Sequence, residues 1–223
     1  MFFNLYLLVV TNREDEFMIT LIFIIIFTFI ALKIPGKIRR YEISIYLLAS
    51  VVAILSLVFN SHFLFAPIIK GFVGLALFYL VMIASSLKVK TKLRKGLMGL
   101  RKHYSILGFI LITPHAVYYL IQIITGNQAF TPFGIAAYGI MIPLFITSFL
   151  SIRKKMKPSS WKNLQRLAYI SYGLLLIHLI LHYTNRLNLI LYLILAVLYF
   201  YLKFSRLRLV KFNKTKLKST SQS

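Results

Sequence analysis

Two histidines stand deep inside two separate apolar segments of this chain. His115 lies within Tyr104 to Thr125, and His178 within Leu164 to Thr184. A titratable ring in a lipid-spanning helix is rare and costly, so it faces a partner inside the bundle. Neutral imidazole is also a good metal ligand. Two such rings on different helices suggest one cofactor gripped between them, and a b-type haem with two axial histidines is the simplest candidate. The bland reading is two unrelated polar residues packed between helices.

The remaining histidines are weaker candidates. His182 lies one turn beyond His178 on about the same face, roughly 6 Å further along the axis. It is too close to hold a second haem independently. It can bond a haem propionate, act as an alternative ligand, or sit at the outer interface. A His-x-x-x-His pair also binds zinc, but this one lacks the glutamate of a metalloprotease motif and any nearby acidic ligand. His103 reads as an interfacial residue at the inner end of its span, with service to an inner cofactor as the second reading. His62 reads as solvated in a connection.

Whatever holds these rings must be a membrane bundle. Hydrophobic residues make up 59% of the chain and mean hydropathy is +0.80. A run of about 20 apolar residues crosses a bilayer as a helix, and a helix satisfies its own backbone in lipid. The fold class expected is all-α, a polytopic bundle of about seven spans at 17–33, 41–60, 67–87, 104–125, 133–152, 164–184 and 187–203. Pro35-Gly36, Thr131-Pro132 and Pro158-Ser159-Ser160 break the pattern at loops. No sizeable soluble domain remains, and no internal repeat is evident.

The net charge of +23 is distributed as a membrane protein distributes it. Basic residues cluster in 33–40, 88–102, 153–162 and the tail from Lys203. The intervening connections 61–66 and 126–132 carry none, and 185–186 carries only Arg186. Basic short loops stay in the cytoplasm. The N-terminus is therefore expected outside and the C-terminus inside, in a bacterial-type plasma membrane. The acidic start Glu14, Asp15 and Glu16 is compatible with this. The basic tail reads as resting on anionic lipid, not as a nucleic-acid site. Met1 to Val10 is apolar but too short to cross and has no basic leader, so no cleaved signal peptide is expected. The start is read either as Met1, with this segment at the outer interface, or as Met18.

Direction permits depth to be compared. The fourth and sixth spans both run from inside to outside. His115 follows Arg101 by 14 residues and His178 follows Gln165 by 13. At 1.5 Å per residue, both rings stand about 20 Å from the inner basic girdle. Equal depth is what a shared haem requires. Gly108 would admit close approach of a helix or a porphyrin, Trp161 reads as an inner-surface anchor, and Lys70 and Glu42 read as snorkelling residues near span ends.

Several chemistries are absent. Cysteine is missing, which excludes disulfides, thiol chemistry and cysteine-ligated iron–sulfur clusters. No nucleotide-binding glycine motif occurs. The four carboxylates, none deep in a span, argue against a carboxylate-based proton pump.

The stretch Arg101-Lys-His-Tyr-Ser-Ile-Leu-Gly108, followed by Thr113-Pro-His115, and the later Trp161-Lys-Asn-Leu-Gln165-Arg-Leu-Ala-Tyr169 with Ile177-His178, resembles the ferric-reductase-like transmembrane superfamily. Its closest branch in this resemblance is the bacterial membrane haem subunit of the methionine-sulfoxide reductase system, the MsrQ (YedZ) branch. Thr131-Pro-Phe-Gly-Ile135 and Ile146-Thr-Ser148 are similar to that branch too. The resemblance covers roughly 67–203. The organisation expected is an outer segment 1–16, additional N-terminal spans 17–66, the haem-binding bundle 67–203 and a basic cytoplasmic tail 204–223.

The resemblance implies a b-haem bundle that passes electrons across the membrane, with His115 and His178 as axial ligands to iron. Members often carry histidine where this chain has Gln165, and two-haem relatives carry one where it has Arg101. Both positions count as candidate cofactor-binding residues, yet neither offers an inner axial imidazole. One outer haem is therefore expected, and a second is in doubt. The inner half is expected to hold a flavin (FMN), with a haem held through His103 as the alternative. The donor is either a cytoplasmic flavin reductase or a lipid-phase quinol. The acceptor is either ferric iron or an extracytoplasmic partner reductase. The chain thus reads as an oxidoreductase or an electron-transfer subunit of one. The competing class is a small permease or assembly factor with no redox role.

Overall fold

A computed structural model describes residues 16–182 and 186–220. The expectations for Met1 to Val10, Glu14 and Asp15, for the connection at Asn185, and for the last three residues lie outside that range. The described residues are all helical with turns between, and no strand occurs among them. In chain order the helices are α1 (Glu16–Lys33), α2 (Pro35–Arg40), α3 (Glu42–Val58), α4 (Ala66–Ile69), α5 (Phe72–Ala84), α6 (Lys92–Ile124), α7 (Pro132–Ile146), α8 (Leu150–Arg153), α9 (Pro158–His182) and α10 (Arg186–Thr220). A 3₁₀ turn, Phe63–Phe65, leads into α4.

Among the described residues, three helices are long and apolar enough to cross a membrane: Lys92–Ile124, Pro158–His182 and Asn188–Leu207. The pair Phe63–Ile69 and Phe72–Ala84 qualifies together but is bent by 43°. Shorter apolar helices occupy Phe17–Lys33, Glu42–Val58 and Pro132–Ile146. The outward surface is apolar, with Ile43, Leu48, Ile124 and Val197 exposed. A water-soluble protein does not display so much hydrocarbon. This is a multi-pass membrane protein.

The structure corrects the sequence boundaries in four places. The third expected span, 67–87, is a broken helix, because Gly71 adopts φ +83° and ends α4 before α5 begins. A left-handed turn of this kind suits glycine and disfavours any side chain. The fourth begins at Lys92, well before Tyr104. Thr91 caps it by accepting the Arg94 N–H, and the Lys and Arg residues that hydropathy assigns to a connection are good helix formers. The last helix likewise continues through the basic tail to Thr220. The three prolines read as loop breakers instead sit at helix starts, where a missing N–H costs nothing.

The core lies where α1, α3, α5 and α6 meet. Leu77, Leu97, Leu100 and Tyr104 are fully buried there beside Ala31 and Ala49. Small residues permit the close crossings. A Cβ on Gly96 would fall 2.3 Å from the Ala31 carbonyl oxygen, so α6 meets α1 backbone to backbone. Gly108 faces Leu77 and Phe78 of α5, so its close approach is to a helix. Polar side chains tie the helices where lipid cannot. Thr20 and Tyr192 share a 2.8 Å hydrogen bond, and Ser171 donates to the Ala137 carbonyl at 3.1 Å.

Candidate functional site

His115 is placed by the break in the preceding span. Its helix, α6, packs along α5, whose start is the Gly71 turn. The turn takes the Ile69 carbonyl out of the helical ladder, and His115 Nδ1 lies 2.9 Å from that oxygen. A carbonyl can only accept, so Nδ1 carries the proton and the neutral ring keeps its lone pair on Nε2. That tautomer, fixed by a backbone carbonyl, is the usual state of a histidine that ligates through Nε2. Gly71 is also the floor of the ring's seat. A Cβ there would lie 3.2 Å from His115 Cγ and Nδ1. Pro114 is accommodated within α6, and Thr113 bonds back to the Phe109 carbonyl at 2.8 Å.

His178 is seated in the same way on a different helix. Gly134 of α7 lies under it, and a Cβ there would fall 2.9 Å from Cε1 and 3.0 Å from Nδ1 of the ring. Its Nδ1 is buried and has no hydrogen-bond partner. A buried nitrogen left unpaired costs about 1–3 kcal/mol and calls for an explanation.

Two of the imidazoles are neighbours. The His178 and His182 ring centroids are 4.5 Å apart. His178 interacts electrostatically with both His182 and His115, and His115 with His182. The two helices that carry them do not pack along each other. Helix α6 lies on α5 and α3, α9 lies on α7, and α7 bridges the two. His115 and His178 are thus carried on two separate supports joined through α7. His182 is exposed on the last turn of α9. Among the described residues no group of three or more His, Cys, Asp or Glu side chains could hold a bare metal ion. A haem held by two imidazoles needs no third protein ligand.

The inner candidates lie elsewhere. Arg101 is exposed and interacts electrostatically with Tyr172 and Tyr199, while Gln165 is half-buried on α9. Sequence reading also misses a cluster around His103. This residue is 4% exposed, which excludes an interfacial, solvated role. Its Nδ1 pairs with Tyr46 OH at 2.8 Å and lies 3.4 Å from Glu42 Oε2. Lys102 Nζ donates to the same carboxylate at 2.7 Å. Glu42 thus joins α3 to α6 as well as reaching the interface. The signal available was the placement of Glu42, Tyr46, Lys102 and His103 near the ends of two adjacent spans, with nothing to show that the helices touch. Trp161 is more than an anchor. Its indole N–H donates to the Thr147 carbonyl at 3.3 Å, with Arg153 stacked 4.0 Å over the ring. His62 is exposed and caps the 3₁₀ turn by accepting from Leu64 N–H at 3.3 Å.

Comparison with known proteins follows the same helices. A protein of Treponema pallidum (strain Nichols), described as an uncharacterized protein, is 35% identical over 133 residues. The matched region covers 54% of this chain and 36% of that relative, so the chain spans about a third of the relative's length. No solved structure matches. Residues 70–176 match the family model described as ferric reductase like transmembrane component, a stretch that holds Gly71, Arg101, His115, Gly134 and Gln165 and stops just before His178. The match supports a ferric-reductase-like transmembrane domain over those residues.

Proposed function

We propose that this chain is a b-haem transmembrane electron-transfer protein of the MsrQ (YedZ) type, with His115 and His178 as the axial ligands of one haem. The observation that carries the reading is the ring state of His115. Its Nδ1–H is committed to Ile69 and Nε2 is left as a lone pair, and His178 is a second imidazole seated on a glycine of another helix. The bound haem would supply a one-electron carrier whose potential is set by its surroundings. The protein's part is to fix the tautomer at His115, to seat both rings on glycine and to keep water away. His182 stands beside the pair as a polar neighbour at the outer end.

Seven crossings, an outer N-terminus and an inner C-terminus complete the reading, with the basic segments in the cytoplasm of a bacterial-type cell. The haem then lies in the outer half. Its donor is a flavin, FMN or a flavin reductase, at the inner side, or a quinol from the lipid phase. Its acceptor is ferric iron or a partner reductase such as a methionine-sulfoxide reductase.

The test is optical. Protein purified after expression with ample haem should show a Soret band that sharpens and shifts on dithionite reduction. His115→Ala and His178→Ala should each remove it, with monodispersity retained. Full haem in either variant overturns the ligand assignment. A colourless wild-type protein favours a non-redox permease or assembly factor.

A further inference from the structure

A second feature lies apart from the histidines. A cavity of about 200 Å³ is enclosed by α1, α5, α9 and α10, and neither His115 nor His178 lines it. Its walls are mostly aliphatic and aromatic, including Phe78, Met82, Leu176 and Leu195. Along α9 it extends from Leu179 to Tyr169, which is on the order of 15 Å. At the Tyr169 end the wall is incomplete, because the lining residues Tyr169 and Phe200 are both exposed on the outer surface of the bundle. The cavity therefore opens sideways, towards lipid.

That same end is cationic. Lys203 Nζ donates to Tyr169 OH at 2.9 Å and sits 4.9 Å over its ring, which leaves other ammonium hydrogens for a further acceptor. Arg101 is exposed on α6 and interacts electrostatically with Tyr172 and Tyr199, two more lining residues. An elongated apolar slot with a lateral mouth and the Lys203 ammonium at that mouth is complementary to one kind of molecule. It matches a single-file hydrocarbon chain carrying an anionic head.

We propose that this slot holds an anionic phospholipid, one acyl chain lying between α5, α9 and α10 and the phosphate meeting Lys203 and Arg101. The site is independent of the haem reading. It gives Arg101 a role that does not require an inner cofactor.

Native mass spectrometry of the full chain in mild detergent, titrated with phosphatidylglycerol or phosphatidylcholine, tests it. One phosphatidylglycerol should be retained at least about tenfold more tightly than phosphatidylcholine, given two cations at the head. The double variant Arg101→Gln with Lys203→Gln should lose the preference, and Lys203→Arg should keep it. Lys154→Gln with Lys155→Gln, on a different segment, should keep it too, which separates the site from general surface charge. Gly173→Leu places a side chain at the cavity wall, where a Cβ meets nothing within 4 Å. It should lower retention of both lipids without disturbing the helix. Equal retention of the two lipids overturns the proposal, as does unchanged retention in Gly173→Leu, or release of FMN in place of lipid on denaturation. The Soret band is recorded on the same samples, so loss of haem and loss of lipid are read separately.

Discussion

His115 reaches across from α6 to the carbonyl oxygen of Ile69, 2.9 Å from its Nδ1. The acceptor exists because the chain turns left-handed at Gly71 two residues later. One glycine thus produces both the hydrogen bond that sets the tautomer and the space in which the ring lies. The broken span is the device that aims a histidine.

Substitution of the two seat glycines should therefore act on the rings. Gly71→Ala adds a methyl 3.2 Å from His115 and strains a φ of +83°, at about 1–2 kcal/mol for the backbone alone. Gly134→Ala leaves the backbone unstrained but drives a Cβ to 2.9 Å from His178. Both variants should bind less haem, and what remains should show altered axial geometry in low-temperature electron paramagnetic resonance. Unaltered spectra at full occupancy would separate the glycines from the site.

His103 should matter to stability and not to haem. Replacing it with leucine leaves the half-buried Tyr46 OH without its partner, a loss of about 0.5–1.5 kcal/mol. Thermal unfolding in detergent should shift downward while the Soret absorbance per chain stays the same. A fall in haem content in His103→Leu would instead revive an inner cofactor held through this ring.

Helix crossing and open glycines give opposite outcomes for the same chemical change. Gly96→Ala pushes a Cβ into the Ala31 carbonyl and should destabilise the packing of α1 on α6. Gly139→Ala meets nothing within 4 Å and should be neutral or stabilising, by roughly 0.5–1 kcal/mol, because alanine favours the helix. Unfolding midpoints of the two variants measured side by side decide the matter.

The absence of cysteine makes topology directly measurable. Asn127→Cys should react with a membrane-impermeant maleimide in intact cells, and Lys154→Cys only after lysis. The reverse pattern would invert the orientation and place the candidate haem near the inner face.

Hydropathy and histidine position make much of this arrangement readable from sequence. The apolar stretches coincide with helices, and His115 and His178 fall on two separate ones that do not pack along each other. What hydropathy cannot read is continuity. It stops a span at the first lysines, although Lys92 to Lys102 extend the helix well beyond the apolar part. It runs through Gly71, because one glycine barely changes an average but redirects the chain. Burial of His103 and its bond to Tyr46 depend on which helices are neighbours, and no single-sequence pattern carries that information. Arg101 and Gln165 were legible as positions but not as contacts.

The first helices also fasten the N-terminal half of α6. Tyr104 gives its hydroxyl hydrogen to the Phe27 carbonyl, His103 is tied to Tyr46, and Gly96 rests on Ala31. A fragment trimmed to residues 70–176, which the family model matches, would expose a phenol, an imidazole and a bare stripe of backbone to hydrocarbon. The smallest piece able to stand alone is thus larger than that stretch. A minimal redesign must first replace Tyr104, His103 and Gly96 with residues content to face lipid.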